Sequence, residues 1–423
     1  MKDNLDTPDD LTCVRPGDLR PIGYFVHHQG RGHAVRAAAI VNALPPARPV
    51  TLFCARDDIF PELRANVRIQ RIPSLFERRG DEVPSADSIA PPETMHCAPL
   101  GWPAIRQAMA TITGWFHSAD PALMIVDVSA EVAQLARLCS VPGVVVVQHG
   151  DRGDPGHRAA YAGASGLLCP FHADLAQPDW PQAMRARMGN FGGLGVDTGL
   201  PDRATARARI GVDPRRPVAL VISGGGGNGI SQAPLGVAAR SVPDYDWITI
   251  GEVQRDWHAT EPANLSHRGW VDNAPDYIAA ADLVVASTGN TTCGQVLAAG
   301  KPWIAVPEWR YFDEQVEKAK AIARAGACTH LPHLPSSAHR WVEAVESAQR
   351  DHRPDLQRAL IDASPAQDAA RWIEALIARI WADRGADPLG VAPDPTPPET
   401  AQSETIPPDP IQTEIASQEP THA

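Results

Sequence analysis

From Pro21 onward, short and uniformly apolar runs alternate with longer segments whose apolar residues recur every three or four positions. IGYFVH, PVTLFC, ALMIVD and GVVVVQH are too short for helices, and continuous apolarity marks strands buried on both faces of a parallel sheet. Between them, AVRAAAIVNAL and AEVAQLARLC carry helical spacing. Around residues 189–217 the pattern gives way to Gly and Pro, then restarts with PVALVIS, a helix, DWITIG, a helix over 274–281, DLVVAS, a helix over 292–299, PWIAVP and a helix ending near Ala325. Such alternation predicts two doubly wound α/β domains in series, with a cleft between the carboxyl ends of their strands.

The spacing sets the boundaries. We expect a flexible start at 1–20, a first Rossmann-like domain at 21–190, a linker at 191–216 and a second Rossmann-like domain at 217–363. A C-terminal helix follows at 364–384, with Ser364 as cap, Pro365 in its first turn, and Ile373, Leu376, Ile377, Ile380 and Trp381 on one face that must dock on something. Residues 385–423 hold nine prolines and seven acids without Lys or Arg. That segment has no apolar face to offset ordering entropy and is expected to be disordered.

Charge narrows the function classes. The whole chain carries −12, of which the last 39 residues account for seven, so the body is only weakly acidic. It lacks the basic surface that phosphate-backbone binding needs, which argues against nucleic acid as a partner. No run approaches the roughly 18 apolar residues of a membrane span, and the acidic start MKDNLDTPDD is unlike a signal peptide. A cytoplasmic protein is expected. Its seven scattered cysteines, with no CxxC, read as reduced thiols.

Candidate chemistry gathers at strand ends. The first strand runs into HHQGRGH, where Gly30, Gly32 and His33 open a helix that carries Arg36 one turn on. The helix dipole favours a neutral imidazole at His33, a competent general base, although His33 could equally cap or pack. His27 and His28 read as an ordinary strand end, and no metal site is expected. Asp127, at the end of ALMIVD, either orients His33 or caps the next helix; His149 and Asp151, beyond GVVVVQ, line the same edge. In the second half, GGGGNG places free amides ahead of a helix, as a diphosphate site requires. A dehydrogenase would show the same GxGxxG turn and could use Glu252 for a ribose. STGNT offers a second such turn, and Asp313, Glu314 and Gln315 follow PWIAVP at the next helix start. Asp244 and Asp246 spell a DxD, which precedes a strand and reads as a solvated loop.

Three blocks resemble the family 28 glycosyltransferases of GT-B fold, typified by MurG-like enzymes. GRGHAVR is similar to the family's GxGH turn, VISGGGGNG to its second glycine turn, and TGNTTCGQVLAAGKPWIAVP with FDEQVEKA to its donor signature. The likeness runs from about residue 22 to 327. It implies an inverting transferase, with no cofactor and no metal, that moves a sugar from a nucleotide-sugar, UDP-linked as first choice, to a small-molecule, glycan or lipid-linked acceptor. Gly224, Gly225, Gly226 and Gly227 would face the phosphates, with Thr288, Gly289, Thr291 and Thr292 at the second turn. Val271 would meet the base by its backbone, Gln295 the ribose, and Asp313 and Gln315 the sugar. His33 would be the base with Asp127 behind it, and Gly32, Arg36 and His149 would lie on the acceptor side. Two departures stand out: Gln295 occupies a family Glu position, and the linker NFGGLGVDTG lacks the Asn-Pro-x-Arg of the MurG group. They leave room for a non-catalytic nucleotide-sugar-binding protein, or for a same-fold epimerase or hydrolase.

Overall fold

The computed structural model describes residues 19–224, 229–255 and 260–382. The start of the chain, Gly225 to Gly227 and the acidic tail therefore lie outside the described residues. Seven strands form the first sheet: β1 (Ile22–Phe25), β2 (Val50–Cys54), β3 (Val67–Arg71), β4 (Leu123–Asp127), β5 (Gly143–Val146), β6 (Gly166–Cys169) and β7 (Met188–Asn190). Their order is β3-β2-β1-β4-β5-β6-β7, all parallel. The second half supplies β8 (Val218–Ile222), β9 (Ile230–Ser231), β10 (Asp246–Ile250), β11 (Val253–Gln254), β12 (Leu265–His267), β13 (Leu283–Ala286), β14 (Trp303–Ala305) and β15 (Thr329–His330). Six of these make a sheet in the order β12-β10-β8-β13-β14-β15, while β9 and β11 pair separately. Two doubly wound α/β units result, the architecture expected from the apolar pattern.

In each sheet the strand order reverses once, beside β1 in the first and beside β8 in the second. Loops leave such a switch point in opposite directions and open a crevice at the strand carboxyl ends. The chain after β1 and β4, and after β8 and β13, is therefore placed at the two crevices. β1, β4, β5, β8 and β13 are buried along their whole length, which is why their sequences are continuously apolar. β3, VRIQR, is different: at the sheet edge it alternates half-buried and exposed residues and carries no apolar run.

The C-terminal helix, Pro365–Ile380, docks on the first sheet's unit, although it follows the second in sequence. Ile373, Leu376 and Ile377 pack in one buried cluster with Ile22, Leu52 and Leu123. Gly166 and Gly189 make room for it, since a Cβ on either would lie 2.8 Å from the Trp372 ring. Arg48 donates two hydrogen bonds to Glu374, at 3.0 and 2.7 Å, within an almost fully buried pair. Trp381 donates its indole N–H to the Ala122 carbonyl at 3.0 Å. Ser364 occupies the cap position, but its side chain makes no capping bond, so Pro365 and packing define the helix start.

Removing one partner of a buried ion pair leaves the other charge without its counter-ion, at a cost of about 3 kcal/mol. Glu374→Ala should lower the unfolding free energy by that amount, seen as a lower urea midpoint at an unchanged slope. A Glu374→Leu/Arg48→Met double variant should regain most of the loss. A single variant as stable as wild type would show that the pair does not hold the helix.

Candidate active site

β1 delivers the chain into Val26 to Gln29, and Gly30, at φ +86°, turns it into the helix Arg31–Ala43. That backbone conformation strains any residue with a Cβ, so glycine is required at the turn. His33 stands at the third helical position. Asp127 closes β4 with no solvent exposure, and its Oδ2 lies 3.1 Å from His33 Nδ1. From the next turn of the helix, Arg36 Nη2 donates to Oδ1 at 2.8 Å and to Oδ2 at 2.6 Å.

Burial pushes the Asp127 carboxyl upward, but the Arg36 charge and then His33 outweigh it and hold the group well below the usual carboxylate range. An ionised Asp127 accepts from Nδ1–H, which leaves the Nε2 lone pair of His33 available. Arg36 Nη2 also lies 3.0 Å from Nδ1. With a proton on both atoms that approach is a contact imposed by the shared carboxylate. Ser129, and not Asp127, caps the following helix, accepting from Val132 N–H.

The neighbouring histidines behave differently. His27 packs its ring 4.7 Å from Phe76, and burial, followed by repulsion from His33, pulls it down to about 4. His28 meets Glu77 at 2.8 Å. His149 is fully buried: its Nε2–H donates to the Leu175 carbonyl at 2.7 Å, and burial, then the Lys318 charge, lower it to about 3. Arg36 is also buried, at 2 % exposure. Of the three residues expected on the acceptor side, Arg36 and His149 thus face inward. Gly32 and His33 remain at the opening, beside a cleft of about 640 Å³ lined by His28, Gln29, Gly30, Arg56, Arg71 and Arg79 among others.

On the opposite side, β13 ends at Ala286, and Ser287 to Gly289 lead into the helix Asn290–Ala299. A Cβ on Gly32 would lie 3.7 Å from Thr291 Oγ1, so the first unit's histidine turn meets this second-unit turn directly. Gly224 follows β8 alongside it, 3.8 Å from Ser287 Oγ by the same measure. Thr288 is fully buried and donates to the Gln315 carbonyl at 2.7 Å, while Gln315 Oε1 accepts from Glu308 N–H at 2.9 Å. Both residues brace the turn, and Gln315 Nε2, with no hydrogen-bond partner among the described residues, stands 4.0 Å from where a Gly289 Cβ would be. Thr292, Gln295 and Val271 are half-buried; Thr291 and Asp313 are exposed.

Several residues near this turn have no role expected from the sequence, although Phe312 and Lys318 lie within the FDEQVEKA block. Lys318 is buried and donates its ammonium to Asn290 Oδ1, with Glu314 at 3.7 Å. It fixes a positive charge against the helix start. Phe312 and Asp313 both adopt left-handed backbone, at φ +61° and +52°, which costs about 1–2 kcal/mol per residue. The Phe312 carbonyl accepts from Asp151 N–H at 2.7 Å. Its ring lies 4.9 Å from His96, 5.0 Å from His157 and 4.8 Å from the Arg152 guanidinium. His96, Asp154 and His157 bring three potential ligand atoms within 4.8 Å of one another. Asp154 already takes His157 Nδ1–H at 2.5 Å, and Arg152 lies 3.3 Å from Nε2, so both His157 nitrogens are engaged.

Residues 251–371 match the family described as Glycosyltransferase family 28 C-terminal domain. Among curated proteins, a UDP-N-acetylglucosamine–N-acetylmuramyl-(pentapeptide) pyrophosphoryl-undecaprenol N-acetylglucosamine transferase of Frankia casuarinae is 31% identical over 148 residues, 31% of this chain and 38% of the relative. The enzyme of the same name from an Exiguobacterium species is 28% identical over 193 residues, 43% of this chain and 53% of the relative. The chain thus spans about half, or less, of the curated relatives it matches. Among solved structures, the glycotransferase of kitacinnamycin aligns with TM-score 0.59 at 17% identity over 84% of this chain and 98% of its own. Acinetobacter baumannii MurG aligns with TM-score 0.54 at 14% identity over 85% and 99%. At such identity the likeness is one of fold, and that fold is GT-B. Among the described residues no helix is long and apolar enough to cross a membrane.

His27 and His149 refuse protons that the unfolded chain accepts at an ordinary histidine value of 6.5. Their contribution is complete above pH 6.5 and is lost as pH falls, toward 4 for His27 and toward 3 for His149, at up to about 1.4 kcal/mol per pH unit for each group. The melting temperature should drop steadily across that window, and His149→Gln should make the drop shallower. A variant with the wild-type slope would show that His149 titrates normally.

Proposed function

We propose, from the match of residues 251–371 to the glycosyltransferase family 28 C-terminal domain and from the GT-B fold, that the chain is an inverting glycosyltransferase moving a sugar from a nucleotide-sugar to an acceptor hydroxyl. One observation carries the reading. A histidine with a free ring nitrogen, backed by a buried carboxylate at 3.1 Å, stands at a turn that touches the donor-type turn of the other unit.

In this reading the acceptor hydroxyl gives its proton to His33 Nε2 as its oxygen bonds to the anomeric carbon. The bond from that carbon to the diphosphate breaks, and its electron pair leaves with the nucleotide from the opposite face. Asp127 stabilises the imidazolium that forms, and Arg36 keeps Asp127 ionised and fixed. Charge on the departing diphosphate is taken by amides at the starts of the helices after β8 and β13, assisted by Lys318. Asp313 and the free amide hydrogens of Gln315 hold sugar hydroxyls, Gln295 the ribose, and the backbone at Val271 the base. UDP is the first choice of nucleotide because the curated relatives' names carry it. The acceptor is a small molecule, a glycan or a lipid-linked sugar, the last being what those names describe. The six described cysteines are free thiols, as in a reducing cytoplasm.

Gln295 supports a second reading, a nucleotide-sugar-binding protein without turnover, because an amide loses the charge-assisted bond of a carboxylate. A thermal-shift panel of UDP, dTDP, GDP, ADP and NAD tests the donor side. A nucleoside diphosphate at 100 times its dissociation constant should add about 2.7 kcal/mol, and NAD nothing. His33→Ala should lower turnover about 100-fold or more with nucleotide affinity unchanged. Stabilisation by NAD alone would move the protein to the dehydrogenases, and an alanine variant of full activity would remove His33 as the base.

A further inference from the structure

We propose that Phe312 is a positioning residue through which the first unit sets the donor-sugar segment, Asp313 to Gln315, of the second. The proposal rests on the reading of Asp313 and Gln315 as sugar contacts. Within one loop, Trp309 and Tyr311 are 71% and 75% exposed, yet Phe312, the residue after Tyr311, is turned in and held in a left-handed conformation together with Asp313. Two successive non-glycine residues persist there only where the surroundings over-determine them.

Everything that holds Phe312 comes from the first unit. Asp151 N–H binds its carbonyl, and His96, His157 and Arg152 surround its ring. These partners are themselves fixed: His157 by Asp154 at 2.5 Å, and Arg152 by Gln148 at 2.8 Å and Glu314 at 3.5 Å. Gly150 permits the approach, because a Cβ there would overlap the Phe312 carbonyl oxygen. Gln315, by contrast, is tied to the second unit through Thr288 and Glu308. Asp313 lies between the two anchors. Its carboxylate therefore takes a defined place beside the donor turn only while Phe312 is seated, whereas the phosphate and base contacts, all on the second unit, do not depend on it. Nucleotide binding is independent of the seat; recognition of the sugar is not.

The test uses the full chain, with UDP and UDP-N-acetylglucosamine as probes in calorimetric titrations. Gly150→Ala, which closes the seat from the first unit, and Phe312→Ala, which empties it, should leave UDP affinity within about twofold and weaken UDP-N-acetylglucosamine about tenfold, the scale of one charge-assisted hydrogen bond. Hydrogen exchange across residues 309–315 should accelerate in both, and Phe312→Leu, which refills the seat, should recover most of the sugar preference. Equal loss for UDP and UDP-N-acetylglucosamine, unchanged affinity for both, or unchanged exchange would overturn the role of Phe312. A wild-type protein that binds neither probe would refute the donor reading itself, and the positioning role with it.

Discussion

A carboxylate with no exposure to water must be compensated where it stands, and Asp127 imposes that demand at the end of the central strand β4. Arg36 meets it, which fixes the rotation of the helix Arg31–Ala43 about its axis and with it the direction of His33. The effect reaches further. Gly195, in the connection between the two sheets, passes so close to Arg36 that a Cβ would lie 2.6 Å from its Cα. The next residue of the connection, Val196, would lie 2.8 Å from a Cβ at Gly294. The path of the connection, the helix Arg31–Ala43 and the helix Asn290–Ala299 are therefore packed into one another beside the buried Asp127–Arg36 pair.

Arg36 also moderates the chemistry it supports. A carboxylate shared with a guanidinium offers less negative potential to the imidazole than an isolated one, so in the proposed mechanism the part of Asp127 is chiefly to orient the ring. The partition resembles that of the second unit, where Thr288 and Gln315 spend hydrogen bonds on each other and on Glu308 to brace a turn whose amides stay free. On both sides the buried polar groups set geometry, and the solvent-facing ones are left for ligand.

Legibility in the sequence followed the physics of burial. β1, β4, β8 and β13 were readable because strands covered on both faces must be apolar throughout, and the glycine turns after β1 and β8 because they interrupt that pattern abruptly. β3 was not, since an edge strand needs no such pattern. His149 misled because GVVVVQH reads as one strand reaching the cleft; β5 ends at Val146, and the chain then tucks under Gln177, which accepts from Gly150 N–H at 2.6 Å. Arg36 three residues after His33 gave no sign of facing inward, because one turn of helix spacing does not tell a surface cation from one matched to a buried acid 91 residues away. Phe312 opens the FDEQVEKA block, but its packing was hidden for the same reason: its partners are 155 residues or more distant in sequence.

The docking of Pro365–Ile380 on the first sheet gives the chain an unusual order of assembly. Glu374 reaches back 326 positions to Arg48, and the outgoing and returning connections run side by side, with Asp362 bonded to Gly192 through both its backbone N–H and its carboxylate. In topological terms the second unit is an insertion within the first. During synthesis on the ribosome the insertion can fold as soon as it emerges, whereas the earlier unit must wait, with Ile22, Leu52 and Leu123 incompletely covered, for the last helix to be made. Of the two units, the one translated earlier is thus completed later, with part of its apolar face open to water in the interval.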